Sequence, residues 1–405
     1  MEIMEKDFKE QKDIIKRGIE ELLPEKEFDA LLQKSIDEDK PLRVKQGFDP
    51  TAPDIHLGHT VCLRKLKQFQ ELGHQVVLII GDYTGMVGDP SDKNETRPRL
   101  THEEVMANAK TYEEQFFKVL DKDRTEVHYN GEWFEKLPFS EVMNLASKFT
   151  VARMLERDDF SKRYKSEKPI SIHEFFYPLM QGYDSVAIKA DVEIGATEQK
   201  FNLLIARKIQ EEFNVKPQCV LTMPVLPGTD GKMRMSKSTG NYIGINETPK
   251  DIYGKTMSIP DELIYPYFEL VTEATSEELT VIKNSLESSD TNPMELKKQL
   301  AGDLVRLYHG KEAAEKAETE FTNQFAKGDL PDDIPEVKAV EGDLIVDLMA
   351  ANNITTSKGE ARRLITQGGV RIDGEKISEI DHKVKSGSEF ILKAGKRRFL
   401  KISVE

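Results

Sequence analysis

"PLRVKQGFDPTAPDIHLGHTVCLRKLKQFQELGHQVVLIIGD", Pro41 to Asp82, decides the fold. "PLRVKQGFD" reads as a strand. His59 to Leu72 then places Val61, Leu63, Leu66, Phe69 and Leu72 at helical spacing, and Gly73 ends that helix. "HQVVLIIGD" is an apolar run suited to a strand buried on both faces. Strand, glycine-bearing turn, helix and buried strand make a βαβ unit, and hence a parallel sheet. At the corner, His56 and His59 stand three apart around Gly58. Backbone N–H groups at a helix start are unpaired and its dipole end is positive, which suits an anion. Two imidazoles there supply donors for a polyphosphate, and a glycine lets a nucleotide come close to the backbone. The pair is equally consistent with an ordinary helix start.

A chain of 405 residues is too long for one ordinary core and implies two or three domains. No stretch approaches the roughly 18 apolar residues of a membrane span, and the charged start "MEIMEKDFKEQKDIIKRG" lacks a signal-peptide core. Cys62 and Cys219 sit in apolar surroundings without metal-like spacing, so a reduced, cytoplasmic setting is expected, with no protein-bound metal or prosthetic group. The net charge is −14, yet Asp343–Glu405 carries 12 Lys or Arg against 9 Asp or Glu, leaving −17 for the rest. A basic tail on an acidic body would confine any nucleic-acid contact to a patch.

Residues 8–35 have helical periodicity with a stop near Pro24, Thr101–Asn202 is mostly helical with a strand-like "TEVHYN", and Pro217–Leu226 reads as another buried strand. Pro249 to about Lys327 is helical and acidic. Lys327–Asp343 has glycine or proline at three of its first nine positions and reads as a linker. Beyond it, "SKGEARRLITQGG" is helical and precedes the short strands "VRID", "EFILKAG" and "RFLKISV". No internal repeat is evident.

"RMSKS", Arg234–Ser238, lies in a glycine-flanked polar loop after the Pro217–Leu226 strand. Two cations and two hydroxyls on such a loop can close over a phosphate chain and neutralise charge as it moves. Alone it is an ordinary solvated loop. The two constellations together resemble the paired signature of the first class of aminoacyl-tRNA synthetases. The surrounding words, "GFDPTAPDIHLGHT", "GDYTGMVGDPS", "YPLMQGYDSVAIKADVEIG", "KFNLL" and "MSKSTGNYIG", are similar to those of bacterial tyrosyl-tRNA synthetases over nearly the whole chain. "SKGEARRLITQGGVRIDGEKI" resembles a small RNA-binding module shared with a ribosomal small-subunit protein.

The resemblance implies an α/β fold: a doubly wound, Rossmann-like catalytic domain over 1–232, with a helical insertion at about 125–190 that forms a homodimer interface. The signature loop and a helical anticodon-binding domain would occupy 233–327, a linker 328–342 and the α+β RNA-binding domain 343–405. It implies L-tyrosine, ATP with Mg2+ and tRNA(Tyr) as substrates and no membrane. His56, His59 and Thr51 would bind the ATP phosphates, and Lys237, with Arg234, would hold the departing pyrophosphate. Gly47, Asp49, Gly58, Ala196, Glu198 and Met235 would complete the ATP site. Asp89, Tyr177, Gln181 and Gln199 would bind the amino acid, with Asp184 accepting the tyrosine hydroxyl. On a helix Tyr177, Gln181 and Asp184 share a face. Arg362, Arg363, Arg371, Lys396, Arg397 and Arg398 would meet tRNA phosphates, or form a merely solvated face.

Six positions depart from the family pattern. "GATEQ", Gly195–Gln199, stands for "GGTDQ", Arg234 for the loop's first lysine, Gly182 for an alanine expected near the substrate, Asp92 for a glycine, and Lys45 for a tyrosine. "VK" before the histidine motif marks one branch of the family. Two other functions remain open: a non-catalytic RNA-binding paralogue, and a synthetase paralogue for another amino acid.

Overall fold

Five parallel strands and one antiparallel edge strand form the first sheet. They are β1 (Glu21–Leu23), β2 (Arg43–Phe48), β3 (Gln75–Ile80), β4 (Thr125–Tyr129), β5 (Val192–Ala196) and β6 (Cys219–Met223), in the order β1-β6-β5-β2-β3-β4. Only β1 runs antiparallel, against β6. The computed structural model describes residues 7–50, 54–89, 101–288, 292–326, 334–352, 354–373, 375–385, 389–395 and 398–404. Val76, Val77 and Leu78 of β3 are fully buried, as an apolar strand covered by helices on both faces must be. The helix Leu57–Glu71 lays Leu63, Leu66 and Phe69 into the core at full burial. Each such side chain contributes about 1.5–3 kcal/mol relative to exposure.

From β2 the chain builds outward through β3 to β4, then returns to the other flank of β2 for β5 and β6. The order therefore reverses between β2 and β5, and open α/β sheets bind ligands at the carboxyl ends of such a pair.

After the signature loop the chain is helical: Pro249–Met257, Ile264–Val271, Ser276–Glu287, Pro293–His309 and Lys311–Ala326. Thr248 caps the first of them through Asp251 N, and Pro249 takes the first turn, where its missing N–H costs nothing. Tyr267 donates to Pro227 O at 2.7 Å, which ties Ile264–Val271 to the segment that leads into the signature loop.

The chain divides into two compact units, Met1–Glu315 and Lys316–Glu405. In the second, β7 (Glu336–Ala339), β8 (Val370–Ile372), β9 (Glu375–Lys376), β10 (Glu389–Ala394) and β11 (Arg398–Val404) form a sheet in the order β7-β11-β10-β8-β9. The helices Ile345–Ala351 and Lys358–Thr366 bury Ile345, Met349, Ala361 and Ile365 against Val370, Leu392, Leu400 and Ile402.

Several elements differ from the sequence reading. β1 interrupts the helical stretch 8–35, and β5 interrupts Thr101–Asn202. β4, at the start of the 125–190 insertion, pairs with β3 and belongs to the sheet. The linker assigned to 328–342 contains β7, which pairs in parallel with β11 and buries Ala339. Alternation in "EVKA" outweighs the turn-rich residues before it.

Candidate functional site

A cavity of about 450 Å³ opens at the carboxyl ends of β2 and β5. Its wall is built from the corner after β2, the end of β5 and the loop after β6. Gly47, Asp49, His56, Gly58, His59, Asp89, Tyr177, Ala196, Glu198, Gln199, Arg234, Met235 and Lys237 all line it. Gln181 and Asp184 lie in an adjoining recess that shares Gly47, Asp49, Tyr177 and Gln199 with the main space. Thr51, Asp92, Lys396 and Arg397 lie outside the described residues.

The imidazoles of His56 and His59 stack with ring centroids 3.8 Å apart. His56 N donates to His59 Nδ1 at 3.3 Å, so a neutral His59 carries its proton on Nε2. Burial lowers His56 to about 4, helped by Lys237 and Arg234, and burial holds His59 well below the usual range. Both rings are therefore neutral donors at neutral pH. Gly58 permits this packing: a Cβ there would stand 3.0 Å from His56 Nδ1.

The signature loop is anchored to the same corner. Leu57 N donates to Ile243 O at 2.9 Å and Ile245 N to Ile55 O at 3.1 Å. Asn241 folds the loop on itself, accepting from Ser236 N at 2.9 Å and donating to Arg234 O at 3.1 Å. Lys237 Nζ lies 3.5 Å from Asp54 Oδ2, is buried, and makes no hydrogen bond among the described residues. Arg234 Nη1 donates to Glu198 Oε2 at 2.8 Å. Two departures from the family pattern therefore meet, as an ion pair running from the loop to the end of β5. Both partners are about one-third exposed, so the pair is worth at most about 1 kcal/mol and can open.

At the other end, Tyr177 donates to Asp49 Oδ2 at 2.7 Å and Thr84 Oγ1 to Asp49 Oδ1 at 2.8 Å. Asp184 accepts from Trp133 Nε1 at 3.0 Å and Asn130 Nδ2 at 3.3 Å. Burial pushes its carboxyl up to about 7, against the opposing pull of Lys45. Asn130 and Trp133 were not anticipated, although the carboxyl end of the "TEVHYN" strand was the place to look.

Gly182 was expected near the substrate. It faces the helix Lys200–Glu212 instead: a Cβ would lie 2.5 Å from Ile209 Cδ1 and 3.1 Å from Ala206 Cα. Its role is close helix packing. Burial pushes the thiols of Cys62 and Cys219 up, to about 12 and about 11, so neither is a nucleophile.

The profile of class I tRNA synthetases (W and Y) matches residues 37–326, and that of a tyrosine–tRNA ligase SYY-like C-terminal domain matches residues 325–402. Tyrosine–tRNA ligase of Moorella thermoacetica is 54% identical over 400 residues, covering 98% of this chain and 97% of its own. That of Thermotoga maritima is 53% identical over 395 residues, covering 97% of each. The chain belongs to the bacterial tyrosine–tRNA ligases. Solved structures of other tyrosyl-tRNA synthetases share the fold at lower identity. A C-terminally truncated Aspergillus nidulans mitochondrial tyrosyl-tRNA synthetase superposes with TM-score 0.65 at 22% identity, over 79% of this chain and 94% of its own. Tyrosyl-tRNA synthetase from Archaeoglobus fulgidus, complexed with L-tyrosine, gives 0.63 at 24% identity, over 77% and 100%. Among the described residues of this ligase, no group of three or more His, Cys, Asp or Glu side chains could hold a metal. No described helix is long and apolar enough to cross a membrane.

Proposed function

We propose that the cavity binds ATP and L-tyrosine side by side and brings the tyrosine carboxylate to the α-phosphorus of ATP. The carboxylate oxygen forms the new bond, pyrophosphate leaves, and tyrosyl-adenylate results. A hydroxyl of the terminal adenosine of tRNA(Tyr) then takes the tyrosyl group and releases AMP. The convergence of His56, His59 and Lys237 on one cavity, with Asp184 in the recess beside it, carries this reading. The substrate supplies the nucleophile, so catalysis is positioning plus stabilisation of charge developing on the phosphates. The neutral imidazoles donate without adding positive charge, while Lys237 supplies the cation. Magnesium arrives with ATP, held by phosphate oxygens rather than by a protein cage. Ribose hydroxyls compete with Arg234 for Glu198, which frees the arginine towards the phosphates. Tyrosine-dependent exchange of labelled pyrophosphate into ATP, with phenylalanine as control, tests the assignment. Absence of tyrosine-dependent exchange would refute it.

Asp184 receives the tyrosine hydroxyl. With its carboxyl near 7, it is protonated below that pH and ionised above it. An unpaired buried carboxylate costs more than an unpaired neutral acid. The tyrosine-to-phenylalanine ratio of exchange rates should therefore rise between pH 6 and pH 8. A flat or falling ratio would remove Asp184 from this role.

Within residues 125–190, Phe139, Ile172 and Tyr164 are 76%, 78% and 66% exposed, and these large exposed apolar side chains support homodimerisation through this region. Phe139→Asp should weaken the dimer at least about tenfold, because a buried, unpartnered carboxylate costs more than about 1.4 kcal/mol. Sedimentation equilibrium reads this directly, and an unchanged dimer would move the interface elsewhere.

Arg362, Arg363 and Arg371 are exposed and suit tRNA phosphates. Arg398 donates to Ile354 O at 2.6 Å and Glu360 Oε1 at 3.2 Å, so part of its work is structural. Two buried thiols support a cytoplasmic setting.

A further inference from the structure

Behind the amino-acid end of the cavity, buried polar side chains form a hydrogen-bonded chain whose direction follows donor by donor. Arg157 precedes the helix Asp158–Lys165 and is 5% exposed. Its Nε and Nη2 reach the two oxygens of Asp159 at 2.7 and 3.1 Å, and the guanidinium lies over the Phe160 ring at 4.8 Å. Nη2 also stands 3.7 Å from Asp89 Oδ1, and Nη1 donates to Asn202 Oδ1 at 3.0 Å.

A guanidinium has only donors, so Asn202 must turn its oxygen towards Arg157. Asn202 Nδ2 then donates to Gln181 Oε1 at 3.0 Å. Gln181 Nε2 in turn donates to Glu193 Oε1 at 3.1 Å. Glu193 is a buried carboxylate paired with Lys45 Nζ at 2.9 Å, and it also accepts from Ser185 Oγ at 3.2 Å. A donor-only group at one end and an acceptor at the other leave each amide one orientation. Turning either over sets N–H against N–H or oxygen against oxygen. Tyr177 follows the same rule, spending its proton on Asp49. The neutral groups expected around the substrate ammonium, Tyr177 and Gln181, thus direct hydrogens to the protein's own carboxylates Asp49 and Glu193.

We infer that Arg157 is a positioning residue of the amino-acid site: through Asn202 it sets the Gln181 carbonyl, and directly the Asp89 carboxylate, as acceptors for the substrate's α-ammonium. The inference rests on the reading of this cavity as the tyrosine site. The Lys45–Glu193 pair is the opposite anchor of the chain. It gives the departure at Lys45 a function, holding the far end of the amide relay.

Two variants attack the relay differently. Arg157→Met removes the donor end while keeping a stem of similar bulk. Asn202→Asp still accepts from Arg157 but cannot donate to Gln181, so two oxygens confront each other. Both should raise KM for tyrosine about ten- to hundredfold, the size expected for a misdirected hydrogen bond to a charged group, with KM for ATP unchanged. Arg157→Lys, which keeps a cation, should fall between them and the parent. The decisive readout is inhibition by 3-(4-hydroxyphenyl)propionate, which keeps the phenol and carboxylate but lacks the ammonium. Its inhibition constant should stay within about threefold in both variants, since the bonds in question serve only the ammonium. Parallel weakening of this competitor and of tyrosine would show general damage to the pocket and overturn the inference. So would an unchanged KM for tyrosine in Asn202→Asp, which decides the matter should Arg157→Met fail to fold. Asp89→Asn separates the two levels. An unchanged KM for tyrosine in that variant sinks the site reading itself. A raised KM there, with no effect at Arg157 and Asn202, sinks only the positioning role.

Discussion

Asp184→Asn is expected to collapse the preference for tyrosine over phenylalanine by about a hundredfold or more. The carboxylate accepts from Trp133 Nε1 and Asn130 Nδ2 through different oxygens, and it lies fully buried. Above the carboxyl's titration near 7, phenylalanine entering the parent site leaves that carboxylate without the tyrosine hydroxyl proposed for it. An amide has one oxygen, and its NH2 would face one of the two donors. Tyrosine therefore loses a charge-assisted bond, while phenylalanine no longer strands a charge. Tyrosyl enzymes are the standard example of such discrimination, about 10⁵ against phenylalanine, so that ceiling is carried over from the class rather than obtained from this geometry. Amino-acid-dependent pyrophosphate exchange with both substrates measures the ratio. An unchanged ratio, in a variant with a parent-like thermal transition, would place discrimination elsewhere.

Lys237→Ala is expected to lower the rate of adenylate formation by about 10²–10³ and leave tyrosine affinity nearly intact. Its ammonium is buried 3.5 Å from Asp54, without a hydrogen bond among the described residues, which leaves donors for a phosphate chain. The charge matters most as the pyrophosphate departs, so the loss should fall on kcat rather than on KM for tyrosine. Lys237→Arg should recover part of the rate, because charge is kept but its geometry changes. Single-turnover adenylate formation under saturating substrates separates these quantities. A rate within about threefold of the parent in Lys237→Ala would remove the loop from the chemistry.

The first βαβ unit was legible because β3 and the helix Leu57–Glu71 carry unbroken apolar periods. β1 and β5 were not. Three residues in β1 cannot show a period, and "VEIGA" is five residues between helical patterns. Motifs marked part of the cavity wall: His56, His59, Asp89 and Lys237 line one space. What supports that wall was hidden. Lys45 meets Glu193, Arg157 meets Asn202 and Arg234 meets Glu198 across long separations, and no local pattern encodes a polar pair between distant segments. Gly182 shows the opposite error: its missing methyl was expected near the substrate, yet its vacant side meets Ile209 and Ala206 on another helix. Arg234 and Glu198, separate oddities in sequence, become one ion pair in the fold.

A crystal structure with L-tyrosine and a non-hydrolysable ATP analogue tests the central claim most directly. The account predicts one triphosphate within hydrogen-bond reach of the His56 and His59 imidazoles on one side and of Lys237 Nζ on the other. A nucleotide bound with its phosphates away from the histidine corner, or with Lys237 on no part of the same phosphate chain, would contradict it.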